Sequence, residues 1–113
     1  MIMNPDKVVP LLKEIAGLLE KNGHPGQAEY VSALAIVAHW DPTAVTPGLI
    51  SGAMWGGSGS VWEVSEFDSR EDRRRFMQLL LHLVEEMRKA GITGPAAESR
   101  AAIMSNWLKS GII

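Results

Sequence analysis

The chain contains no cysteine, which excludes disulfides, a thiolate nucleophile and any zinc site built on cysteine. That absence fits a reducing compartment. No apolar run approaches the roughly 18 residues that a bilayer-spanning helix needs. The opening segment Met1–Lys7 has neither the basic region nor the apolar core of a secretory leader, so a cytoplasmic location is expected. An excess of either charge is missing as well. Lysine plus arginine number 11 and aspartate plus glutamate 13, for a formal net charge of −2. Neither nucleic acid nor a membrane surface is therefore an expected partner. The chain has no internal repeat, low-complexity tract or interdomain linker.

What is present is an ordinary globular composition: 113 residues, 46% hydrophobic and 21% charged. That predicts a single domain over residues 1–113 with its own core. Asn4-Pro5-Asp6 is a helix-start signal, combining a capping side chain, proline at the first helical position and an acid near the positive end of the dipole. Val8, Leu11, Leu12, Ile15, Leu18 and Leu19 then recur at helical steps, with Pro10 as the one blemish and Asn22-Gly23 as the stop. Pro25 opens a second helix that runs to Trp40 and ends at Asp41-Pro42. Its circumference is apolar on most sides, which predicts a central position. Thr46-Pro47 starts a short helix with Leu49, Ile50, Ala53 and Met54.

Two further helices follow. The first has Asp68/Glu71 and Ser69/Asp72 at capping-box spacing and a stripe of Phe76, Leu80, Leu83, Val84 and Met87. Gly91 closes it, with Ile92 folding back. The second begins at Gly94-Pro95, carries Ala97, Ala101, Met104, Trp107 and Leu108 on one face, and ends at Ser110-Gly111. Ile112 and Ile113 either dock on the core or fray. The expected fold is all-α, a compact bundle of four longer helices plus a short helix before a central glycine-rich loop.

That loop, Gly56-Gly57-Ser58-Gly59-Ser60 between Trp55 and Trp62, is the least ordinary stretch. Glycines allow positive φ and close backbone approach, and free amides in such a loop can form an anion-binding nest. The specific phosphate motifs fail. A Walker loop needs lysine where Ser58 follows Gly57, and a dinucleotide fingerprint needs glycine where Trp62 stands. Neither Ser58 nor Ser60 has the frame of a nucleophile elbow. The loop is therefore either a tight connector pinned by its tryptophans, part of a partner surface, or a small-anion site. Val61 to Phe67 reads as irregular or a short helix, since no second strand exists to pair with it.

The remaining polar groups point weakly to chemistry. His82 shares a helical face with Glu85 and Glu86, but no second Glu-x-x-His completes a metal site. His39 lies near Asp41, His24 stands at a helix start, and neither has a further ligand in sequence. Arg70, Arg73, Arg74 and Arg75 form a basic cluster in which Glu71 can pair with Arg75. This cluster reads as a salt-bridged face or as a docking patch for carboxylate or phosphate. Glu63, Glu66 and Asp68 form an acidic ridge that could do acid–base work or complement a basic protein. No catalytic residue, metal ligand set or cofactor is expected.

The run Trp55-Gly56-Gly57-Ser58-Gly59-Ser60-Val61-Trp62-Glu63 resembles a motif of small helical bacterial proteins of unknown function, aromatic-Gly-Gly-x-Gly-Ser-apolar-x-acid. Ser58 departs from it, standing where a larger apolar residue is typical. Some members of that family look like immunity proteins for bacterial toxins. The resemblance implies a bacterial, helical, non-enzymatic protein. The expectation is a protein-binding module that occludes the active site of a toxin through Trp55, Gly56, Gly57, Ser58, Gly59, Ser60, Trp62, Glu63 and Glu66. Two alternatives stand beside it. One is a ligand, anion or metal site using the loop amides with His39 or His82, and the other is a structural domain that homodimerises.

Overall fold

A computed structural model describes residues 3–113; residues 1 and 2, where the segment read for a leader begins, lie outside the described residues. Among the described residues the chain forms helices and no strand. In order these are α1 (Pro5–Lys21), α2 (Pro25–Trp40), α3 (Thr46–Leu49), α4 (Gly52–Trp55), α5 (Arg70–Lys89) and α6 (Pro95–Ser110). The protein is all-α, and the short helix expected before the loop is resolved into two four-residue turns, α3 and α4.

The helix ends follow local chemistry. The Asn4 side chain accepts from the Asp6 amide at 3.0 Å, which satisfies one of the free donors at the start of α1. Pro10 lies inside α1 on its exposed side, and the helix runs through it. Gly23, at φ 83°, lets the His24 amide turn back to the Leu19 carbonyl at 2.9 Å. Of the two capping boxes, Ser69 supplies the one in use, its hydroxyl accepting from the Asp72 amide at 3.0 Å.

α1 packs on both α2 and α5, and α6 packs on α5. Val8, Leu12, Ile15 and Leu19 of α1 have no exposed surface, nor do Phe76, Leu80, Leu83, Val84 and Met87 of α5. Each such side chain contributes about 1.5–3 kcal/mol relative to exposure. Ile113 also docks on the core, whereas Ile112 points outward at 68% exposed.

One expectation is overturned. α2 is not central. It buries Ala28, Val31, Leu34, Ala35 and Ala38 but leaves Ala33, Ile36, Val37 and Trp40 exposed on the opposite side. All-round apolarity specifies that a helix prefers cover, not which element provides it. α6 settles on α5, so among the described residues no helix covers the outer side of α2.

Candidate functional site

The glycine loop is folded inward by its own backbone. The Val61 amide donates to the Ala53 carbonyl at 2.8 Å and the Trp62 amide to Met54 at 3.0 Å, which ties the loop's exit to α4. The Gly56 and Ser60 amides donate to Gly52 and Gly57, and the Ser60 hydroxyl to Gly56. Gly56 is required by close approach, since a Cβ there would meet the Gly52 carbonyl oxygen at 2.5 Å. Gly59 takes φ 87°, the left-handed region that favours glycine.

The nine loop residues expected at a partner surface therefore divide. Trp55 has no exposed surface and donates its indole N–H to the Leu49 carbonyl at 2.6 Å. Ser60 is buried too. Both are corrections, with a common cause: the loop is short, and its ends hydrogen-bond to α4, which turns these side chains into the core. Gly56 is half-buried. Gly57, Ser58, Gly59, Glu63 and Glu66 are exposed, so Ser58 does not pack inward. Trp62 is half-buried and stacks on Trp107, with centroids 6.4 Å apart and planes 21° from parallel. Its indole N–H donates to the Gly56 carbonyl at 2.7 Å. Arg100 clamps the assembly, donating to the Trp55 carbonyl at 3.1 Å while its guanidinium lies 4.4 Å from the Trp62 ring centroid. Neither Arg100 nor Trp107 carried a signal in sequence that linked it to the loop.

The loop lies against the first turn of α2. Gln27 donates to the Gly59 carbonyl at 3.2 Å, and His24 Nε2 donates to the Glu66 carbonyl at 2.5 Å. His24 thus stands at the N-cap position of α2, but its side chain cross-links to the acidic ridge instead of capping the helix. Asn22 makes a second tie. Its carbonyl oxygen accepts from the Asp68 amide at 2.6 Å, and its amide donates to the Leu18 carbonyl and the Asp72 carboxylate. Lys21 also pairs with Asp72 at 3.0 Å. The Lys21 and Asn22 hydrogen bonds hold the Asp72 carboxyl below the usual carboxylate range.

The tryptophan that points outward is neither Trp55 nor Trp62. Trp40, at the end of α2, is 80% exposed, and Ile36, one turn earlier, is 62% exposed. With Ala33 and Val37 they make a strip at helical spacing along the outside of α2. The signal was legible as the uniform apolarity of residues 25–40, but it was read as burial.

Charge is distributed unevenly along the chain. Residues 22–69 contain no lysine or arginine, while Glu29, Asp41, Glu63, Glu66 and Asp68 fall within them. The other eight acids share the rest of the chain with all eleven basic residues, so the formal charge is −5 in the middle segment and +3 elsewhere. All five acids of the middle segment are exposed. The Thr43 hydroxyl and the Ala44 amide bind the Asp41 carboxyl and hold it below the usual range, so it stays ionised.

The other candidates resolve into structure. Arg75 forms a two-pronged pair with Glu14 of α1, not with Glu71. Arg70 and Arg74 donate to the carbonyl of Ile113 and pin it to α5. Around His82, Glu86 is engaged with Lys89. Among the described residues no three His, Asp or Glu side chains are placed to hold a metal ion. No helix of the described residues is long and apolar enough to cross a membrane. Comparison with protein families, with curated proteins and with solved structures finds no match to this chain.

Proposed function

We propose that the protein is a non-enzymatic binding module that docks on a positively charged protein partner through the outer side of α2. The observation that carries this reading is Trp40, the most exposed of the large apolar side chains, standing in an uncharged strip with Ile36 and Val37. Tryptophan is one of the residue types enriched at the hot spots of protein interfaces. The acids of residues 22–69, a segment without lysine or arginine of its own, favour a basic partner and speed its approach.

The most concrete form of this role is an immunity protein acting in the cytoplasm on a cognate bacterial toxin. The resemblance of residues 55–63 to small helical immunity-like proteins supports it. The mechanism is occlusion. Trp40 enters an apolar pocket beside the toxin's active site, and the acidic surface with the exposed loop tip Gly57-Ser58-Gly59 covers the basic groove around it. Trp55 and Ser60, expected at first to touch the toxin, hold the loop in shape from inside. Homodimerisation through the same strip is disfavoured, because it would bring two acidic segments together.

Co-expression with the products of adjacent genes tests the proposal. The expected result is a stable complex that protects the cell and whose association slows as salt rises. Absence of any complex, together with absence of protection, contradicts it.

A further inference from the structure

Arg73 stands apart from its neighbours on α5. Arg70, Arg74 and Arg75 each have a protein acceptor. None of the four ion pairs among the described residues involves Arg73. Its Nε is buried, and no protein group accepts from it. Taking a guanidinium nitrogen out of water without a protein acceptor is costly, and none of the ion pairs among the described residues compensates the charge of Arg73.

The surroundings say what kind of molecule that is. Arg73 and Ser65 line two adjoining cavities. One, about 170 Å³, is walled by Trp62, Val64, Met77 and Trp107, with Glu63 also on its lining. The other, about 300 Å³, opens past Phe67, Asp68, Ser69 and Arg70 toward Ile112 and Ile113. The tryptophan wall is preformed, since Arg100 and the Gly56 carbonyl fix the Trp62 ring. An apolar protein cavity of about 150 Å³ holds benzene, so the smaller cavity matches one six-membered ring. The fork of Arg73 matches a carboxylate, and Ser65 lines both cavities beside it.

We infer that the cleft between residues 62–69, α5 and α6 is a binding site for a small aryl carboxylate, with Arg73 as its anion anchor and Trp62, Met77 and Trp107 around its ring. The site is separate from the outer side of α2 and does not depend on the partner proposed above. Specificity comes from both ends. A neutral isostere leaves Arg73 without an acceptor, and a bare anion leaves the tryptophan wall uncovered.

The test is a titration of isotope-labelled protein with phenylacetate, phenylacetamide and inorganic phosphate, followed by NMR at the Arg73 Nε–H and the four indole N–H groups. Phenylacetate is expected to shift the Arg73, Trp62 and Trp107 signals saturably and leave Trp40 unmoved. Phenylacetamide is expected to bind about tenfold more weakly or worse, the loss that follows from removing a charge-assisted hydrogen bond. Arg73→Gln should weaken phenylacetate by a similar factor, and the acid–amide comparison in the unaltered protein stands even if that variant folds poorly. Equal affinity for acid and amide, phosphate binding as tightly as phenylacetate, or no saturable shift at these three residues would each overturn the assignment.

Discussion

Trp55, beside the glycine loop, has no exposed surface and hands its indole N–H to a backbone carbonyl, whereas Trp40, at the end of α2, is 80% exposed. The residue type is the same and the roles are opposite. The stretch that draws the eye in sequence, tryptophan among glycines, is architecture on the Trp55 side and a small exposed tip at residues 57–59. The helix that reads as apolar on most sides carries the exposed strip. A glycine-rich segment permits unusual backbone geometry, and here that geometry serves to fold the chain back on α4 rather than to present a ligand-binding loop. The proposed binding surface lies instead where a large apolar side chain is left exposed, Trp40 touching only the edge of the neighbouring His39 ring among the aromatic side chains.

That contrast can be broken by stability measurements. Trp55→Ala removes a fully buried ring and its hydrogen bond, and is expected to cost about 3–5 kcal/mol, much of the stability of a domain this size. Trp40→Ala is expected to stay within about 0.5 kcal/mol of the parent. Urea unfolding of the two variants checks both, and a large loss at Trp40 would move it into the architecture.

The loop itself supplies the next pair. Gly56→Ala forces a Cβ against the Gly52 carbonyl, and should cost about 1–3 kcal/mol as overpacking does. Gly57→Ala meets nothing within 4 Å and has no positive φ. It should be neutral or stabilising by about 0.4–1 kcal/mol through the unfolded chain. Equal losses at both positions would mean that the exposed tip is also under tight constraint.

The smallest stability effect is a pH dependence at the tie between α1 and α5. The Asp72 carboxyl is lowered by its hydrogen bonds to Lys21 and Asn22, and Lys21 is raised by the same carboxylate. The depressed acid stabilises the fold above its unfolded value of about 3.9, and that contribution fades as pH falls through its lower folded value. The raised lysine contributes fully below its unfolded value and loses its contribution as pH rises through the folded one. Asp72→Asn should flatten the acid side of the stability profile and leave the neutral region nearly level. Thermal melts from pH 2 to neutral, run on parent and variant, check the sign.

Much of the fold was legible because its signals are local. Asn4, Pro25, Ser69, Gly23, Gly91 and Gly111 set helix ends through backbone geometry that needs no tertiary information. The stripes on α1 and α5 named most of their buried residues for the same reason, although on α1 Leu11 and Leu18 are only partly buried and Val9 and Ala16 join the core. What sequence could not place is long-range. Arg75 reaches Glu14 across 61 positions, and Arg100 reaches Trp55 across 45. The inward turn of Trp55 depends on the Val61 and Trp62 amides returning to α4. The exposed strip on α2 is hidden in the sequence for a related reason. Apolar periodicity reports that a surface wants cover, and only the assembled fold shows that α2 is left uncovered. The lack of basic residues from 22 to 69 was readable all along, but the total of −2 conceals it.

The central claim is that the binding energy is concentrated at Trp40 on α2, and that the exposed loop tip contributes little to it. Its most direct measurement is the affinity of Trp40→Ala and of the paired loop variant Gly57→Ala/Ser58→Ala for the protein captured by co-expression. The account predicts that Trp40→Ala weakens the complex by about thirtyfold or more, as loss of a hot-spot tryptophan does, while the loop variant binds within a few-fold of the parent. Parent-like binding by Trp40→Ala, with the loss falling on the loop variant, would contradict it.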